Sequence, residues 1–245
     1  MLVVFLAGCG GSVAAPKHVA PAAVRPVEKR ICRAGVESRL GSRRAAYAAV
    51  ARRPLRAYRK PGRAAFARFE RLNANGVANV FGVVGVVKAR SCRPTWYRAQ
   101  LPMRPNGAIG WIRARDVWLG RVRTRIEIDV SAKRLTFFRN GRRVLRATIA
   151  VGAPATPTPT GRFYVNQRLI PVDKSGPFGP GAIGISAFSN VLTGWTQGGP
   201  VAIHGTNEPW SIGHPVSNGC IRLPNPVLRR LFGAVPAGTP VIIRA

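Results

Sequence analysis

A chain of 245 residues can bury two modest hydrophobic cores, and 46% hydrophobic with 19% charged residues is the composition of a globular protein rich in Gly and Pro turns. No apolar run reaches the roughly 18 residues that a membrane-spanning helix requires. Thirty-nine Lys and Arg against eight Asp and Glu give a net charge of +31, a field that attracts polyanions such as nucleic acid or acidic wall polymers. Zinc-finger spacing, an RNA-recognition signature and a basic zipper are all missing, so no specific nucleic-acid reader is expected. A basic surface that only aids solubility and loose retention at an envelope is the alternative.

Residues 1–40 read as a leader followed by a Pro/Ala-rich linker. Within it, Leu6-Ala7-Gly8-Cys9 resembles the lipobox of bacterial lipoproteins, which implies lipidation at Cys9. The apolar stretch before it is short and lacks a basic flank, so a plain secretory signal with its start upstream stays open. Either route places the protein outside the cytoplasm, in or near the cell envelope.

From 45 to 119, short apolar runs are broken by Pro61-Gly62, Asn75-Gly76 and Asn106-Gly107. Strands are expected over 81–87, around Trp96-Tyr97, and from Gly110 onward. Trp96-Tyr97-Arg98-Ala99-Gln100-Leu101 with Gly110-Trp111-Ile112-Arg113 resembles a bacterial Src-homology-3-like domain, which implies a small β-barrel with a wall-binding or spacer role. Trp96, Trp111 and Trp118 are expected to pack in its core rather than serve as exposed contacts.

A second unit, 121–245, is expected to be mainly β with one short helix. Ile126, Ile128 and Val130 alternate with acids at the period of a half-buried strand. Asn140-Gly141 between two apolar runs predicts a hairpin with a type I′ turn. The Thr-Pro repeat at 156–160 is a rigid loop feeding a strand at 162–166. A short buried strand, 201–203, delivers His204 to an open end. Asn225-Pro226 starts a helix whose inner face is Leu228, Leu231 and Phe232 and which Gly233 ends, and 241–243 is a closing strand.

Of the four cysteines, Cys9 is the lipidation candidate and Cys220 the chemical one. Cys32 and Cys92 are left as a candidate disulfide, with two separate buried thiols as the alternative. A thiol needs a base to become a nucleophile, and His204 lies sixteen residues before Cys220 at the end of a strand. Gly219 permits a tight turn that points the amides of Gly219 and Cys220 at one spot, an oxyanion hole. Arg222 is placed to bind a carboxylate bidentately. A zinc site from His204, His214 and Cys220 lacks a paired ligand motif and a fourth ligand.

The segment from Ile203-His204-Gly205 to Ser217-Asn218-Gly219-Cys220-Ile221-Arg222-Leu223 resembles the signature of the YkuD-type L,D-transpeptidase domain. Matches at 157–163 and 179–184 extend the resemblance over 123–245. It implies a β-rich fold and a cofactor-free, metal-free thioester mechanism acting on peptidoglycan stem peptides and open to carbapenem-type inhibitors. Cys220 is then the nucleophile, His204 the general base, and the Gly205 carbonyl the group that orients the imidazole. Asn218 stands where the family often has His and joins Gly219 and Cys220 in the oxyanion hole; Ser217 and Arg222 bind substrate. A wall-binding scaffold with an inactive catalytic half is the rival reading.

Overall fold

A computed structural model describes residues 32–194 and 199–245, and Cys32–Ala245 form one compact unit. Cys9 and the expected leader lie outside the described residues, as does most of the linker.

The first eight strands are β1 (Glu37–Arg39), β2 (Ala46–Ala51), β3 (Leu55–Tyr58), β4 (Ala65–Phe69), β5 (Val80–Lys88), β6 (Pro94–Gln100), β7 (Ile109–Arg113) and β8 (Val117–Val122). All pair antiparallel, in the order β4-β3-β7-β6-β5-β2-β8 with β1 added on β5. The end strands β4 and β8 do not pair with each other. The sheet packs around Phe81, Val83, Val86, Tyr97, Leu101 and Ile112, all buried. The tryptophans divide. Trp96 sits edge-on to Tyr58 with centroids 5.2 Å apart, whereas Trp118 is 59% exposed beneath the guanidinium of Arg52. Cys32 and Cys92 form a disulfide with Cα atoms 5.6 Å apart, tying the chain before β1 to the β5–β6 turn.

The remaining strands are β9 (Thr124–Asp129), β10 (Arg134–Arg139), β11 (Arg142–Thr148), β12 (Val151–Gly152), β13 (Gly161–Leu169), β14 (Ala182–Phe188), β15 (Pro200–His204), β16 (Pro215–Ser217), β17 (Ile221–Arg222) and β18 (Pro240–Arg244). Asn140 and Gly141 both have positive φ, as a type I′ hairpin turn between β10 and β11 demands. The sheet runs β11-β10-β9-β18-β13-β14-β15-β17, with parallel pairing only at β18–β9 and β15–β17. The one α-helix among the described residues, α1 (Asn225–Ala234), buries Leu228 and Leu231 against the core made by Ile126, Ile128, Phe163, Ile183 and Ile203.

Two features of α1 differ from expectation. Its N-cap is Pro224, and Gly233 lies inside the last turn, with the helix running to Ala234. Asn225 makes no cap because its amide is bonded elsewhere, as described below.

The two sheets meet over Ala48, Val80, Val122 and Tyr164. The buried Tyr164 hydroxyl donates to Val80 O at 2.9 Å, and Asn73 and Asn75 both donate to Gln167 Oε1, at 2.8 and 3.0 Å. Asn106 Nδ2 donates to Phe188 O at 2.8 Å while its Oδ1 accepts from Phe188 N at 2.9 Å. Gly238 brings backbone so near the other sheet that a Cβ there would lie 2.1 Å from Ala48 Cβ.

A cross-link over 60 positions restrains the unfolded chain strongly. Replacing both Cys32 and Cys92 by Ser is expected to lower unfolding free energy by about 3–4 kcal/mol, read from denaturant melts with and without reductant.

Candidate active site

The site is built at the β15–β17 end of the second sheet, where Arg222 also exchanges backbone hydrogen bonds with Ala150. Ile203 and Ile221 are fully buried and pair directly, which sets β17 parallel to β15 and puts His204 opposite Arg222. Side chains alternate along a strand. With Ile203 and Ile221 facing the core, His204 and Arg222 share the opposite face. Cys220 immediately precedes β17, beside Ala202, whose backbone hydrogen-bonds the sulfur. Residues 205–220 make the crossover, and their strand β16 pairs parallel with β12.

His204 is 5% exposed. Its Nδ1 lies 2.6 Å from Gly205 O; a carbonyl only accepts, so Nδ1 carries the proton and Nε2 is the basic nitrogen. Burial drives its pKa down to about 4, against the opposing effect of the Gly205 carbonyl and with help from the Arg222 charge. The ring of Phe178 stands edge-on to the imidazole, centroids 5.0 Å apart. Cys220 is the free cysteine among the described residues. Although partly open to solvent, its sulfur is surrounded well enough that burial pushes the thiol pKa up; the Ala202 backbone and the Arg222 charge pull the other way. At neutral pH both groups therefore rest uncharged.

Gly205 is held by contact. A Cβ there would meet Asn225 Oδ1 at 2.3 Å and Pro180 Cδ at 2.8 Å. The Asn225 amide clamps the next residue, accepting from Thr206 N at 2.9 Å and donating to Thr206 O at 3.0 Å. That is where the expected helix-cap side chain has gone. Leu223 N donates to His204 O at 2.8 Å, tying the segment after Cys220 to the base itself. A cavity of about 500 Å³ opens beside this clamp, lined by Thr206, Pro209, Ile212 and Pro226 among others.

The turn before Cys220 differs in detail from the sequence expectation. Ser217, expected to touch substrate, is 2% exposed and its hydroxyl donates to Cys220 O at 2.5 Å. Gly219 has φ +102°, a conformation only glycine adopts without strain, and its N–H donates to Ser217 Oγ at 3.2 Å. Of the expected oxyanion donors, the Gly219 amide is thus already engaged, Cys220 N remains, and Asn218 is exposed. The Thr-Pro loop braces the turn, Thr156 Oγ1 donating to Ser217 O at 3.0 Å. Arg222 NH1 donates to the carboxylate of Glu208, while its Nε is buried without a partner among the described residues. His214 is exposed on the crossover, and no three metal-ligating side chains gather among the described residues.

Phe178, Glu208 and the bracing roles of Asn225 and Thr156 were not foreseen. Glu208 carried a usable signal: it is one of only eight acids and sits four residues after His204.

Gly205→Ala is expected to destabilise the fold by several kcal/mol, because the clashing atoms belong to a bonded amide and a proline ring. The depressed His204 pKa also has a stability consequence. Between about pH 6.5 and 4 the unfolded chain binds a proton that the folded chain refuses, so stability falls as pH falls through that window. In urea melts, wild type should lose about 3 kcal/mol more than His204→Gln across it.

The family model of the YkuD L,D-transpeptidase catalytic domain matches residues 123–243. The Bacillus subtilis protein named L,D-transpeptidase YkuD is 40% identical over 118 residues, 48% of this chain and 64% of its own. Escherichia coli ErfK/SrfK, also named an L,D-transpeptidase, is 39% identical over 36% of this chain and 26% of its own. Among solved structures, the catalytic domain of the E. faecium L,D-transpeptidase covers 49% of this chain and 96% of that chain at 28% identity, with a TM-score of 0.37. The chain spans less than two thirds of the curated relatives it matches. Over residues 123–243, this chain is a member of the YkuD family of L,D-transpeptidase catalytic domains.

Proposed function

We propose that the protein is an extracytoplasmic, cysteine-dependent L,D-transpeptidase that joins peptidoglycan stem peptides through 3→3 cross-links. The observation that carries this reading is the two-residue parallel pairing of β15 with β17, which sets the Cys220 turn beside the strand that ends in His204. The Cys32–Cys92 disulfide fits an oxidising compartment.

In this reading the Cys220 sulfur attacks the carbonyl after the third residue of a tetrapeptide stem. Its proton passes to His204 Nε2, and the imidazolium so formed is steadied by the Gly205 carbonyl on Nδ1. Oxyanion charge falls on Cys220 N and on Gly219 N once the latter turns from Ser217. Collapse breaks the C–N bond to the terminal D-Ala, whose amine takes the proton from His204. An amine of a second stem then attacks the thioester, giving up its proton to His204 and expelling the thiolate, which is reprotonated. Water as acceptor would give an L,D-carboxypeptidase instead. Arg222, already paired to Glu208, is the cation at hand for a stem carboxylate.

Because the reacting form pairs a neutral thiol with a neutral imidazole, the acylation rate should be level around neutral pH, fall only as pH drops toward about 4, and show no inflection near the ordinary histidine value. Cys220→Ala should abolish both tetrapeptide turnover and the carbapenem adduct detected by mass. An adduct on that variant, or turnover by it, would exclude Cys220 as the nucleophile; sacculus binding without turnover by wild type would favour a scaffold.

A further inference from the structure

A second concavity, lined by none of the residues of the Cys220 site, lies where β9, β13 and β18 face the 39–47 segment and β5 of the first sheet. Its volume is about 860 Å³, larger than the cavity beside the catalytic edge. The order of the second sheet separates the two: β9 and β18 lie toward its β11 side, whereas His204 and Arg222 occupy the β15–β17 edge.

Its lining includes five arginines: Arg39 and Arg43 from one wall, and Arg125, Arg162 and Arg244 from the other. Against them stands one lining carboxylate, Glu127, whose oxygen is 2.9 Å from Arg125 Nε. The charge of Arg244 also reaches Asp129. Arg39, Arg43 and Arg162 are exposed and make no ion pair among the described residues. A concave surface with charge of one sign focuses its field into the gap, so the cleft is a stronger anion trap than the same arginines on a convex face.

We infer that this cleft binds a phosphodiester polymer that carries no bases, such as a polyol phosphate, and holds it away from the catalytic edge. Three observations choose this ligand class. First, every cation in the cleft is arginine, whose planar fork bonds oxyanions in pairs. Second, the arginines stand on both walls. A polymer with an oxyanion in every repeat can meet both walls at once, which a single small anion cannot. Third, the aromatic residues of the lining give no stacking platform: Phe163 and Tyr164 are 3% and 1% exposed, and Tyr47 is only half-buried beside them. Single-stranded nucleic acid draws much of its binding from such platforms. The inference does not depend on the thiol chemistry proposed above.

The test uses the full chain and fluorescently labelled poly(glycerol phosphate), with poly-L-glutamate and single-stranded DNA of matched charge as the other probes. The triple variant Arg39→Gln/Arg43→Gln/Arg162→Gln should weaken poly(glycerol phosphate) binding by at least about 10-fold and lower the salt slope by about two. A control triple, Arg142→Gln/Arg143→Gln/Arg146→Gln, removes equal charge from the exposed strand β11 and should change affinity by less than about 3-fold. Both triples should keep the wild-type unfolding midpoint and the wild-type rate of carbapenem acylation. Equal weakening by the two triples would overturn the inference in favour of a diffuse field. Equal affinity for poly-L-glutamate, or tighter binding of DNA, would overturn the ligand class.

Discussion

Two buried isoleucines, Ile203 and Ile221, decide where the chemistry of this molecule can be. Their pairing is only part of a two-residue strand contact, yet across a sixteen-residue separation it sets His204 opposite Arg222, two positions past Cys220, on neighbouring strands. Parallel pairing demands a crossover, and the crossover from 205 to 220 carries the Asn225-clamped Thr206, the Glu208 carboxylate and the glycine turn. Each of these is positioned relative to the same hydrophobic register. Moving β17 by one residue would send Cys220 and Arg222 to the core face and bring Ile221 to the surface.

Around that register the electrostatics are arranged to keep the resting site uncharged. Burial holds His204 neutral and the Cys220 thiol protonated, and the Arg222 guanidinium disfavours imidazolium while favouring thiolate. A hydrogen bond from Nδ1 to the Gly205 carbonyl does the orienting that a carboxylate does in a protease triad, without adding a negative charge. The small size of Gly205 is a condition of that bond, since the Asn225 amide fills the space a side chain would need. In the proposed reaction, charge separation is created only as the carbonyl is attacked.

Local signals were legible in the sequence; of the long-range contacts, the Cys32–Cys92 pairing was legible and the side-chain clamps around the site were not. Asn140-Gly141 announced the β10–β11 hairpin because a type I′ turn needs two positive φ angles in adjacent residues. The Ile126–Ile128 alternation announced β9 because the strand is buried on one face. By contrast β17 has two residues and no periodicity; it exists because β15 offers it an edge. Asn225 looked like a helix cap from its neighbour Pro226, but the competing backbone groups of Thr206, distant in sequence, took its amide. Ser217 and Gly219 were legible as members of a turn before the cysteine, while the hydrogen bond between them, which engages an expected oxyanion donor, depends on φ angles that composition does not encode. The strands β2 and β4, built from Ala, Arg and a few aromatics, carry too little apolar contrast to be seen without their partners.

The seam between the two sheets has an evolutionary consequence. Gly238 nearly touches Ala48, and Gly82 leaves room for the Tyr164 ring, whose atom Cδ1 would sit 2.9 Å from an added Cβ. Such a seam tolerates no side chain on one partner unless the other gives way, so the two halves are matched parts rather than beads on a string. Recombination that grafted this N-terminal sheet onto a different catalytic unit would have to import the glycines and the tyrosine together. Inheritance of the pair as a block is therefore the expected pattern of descent.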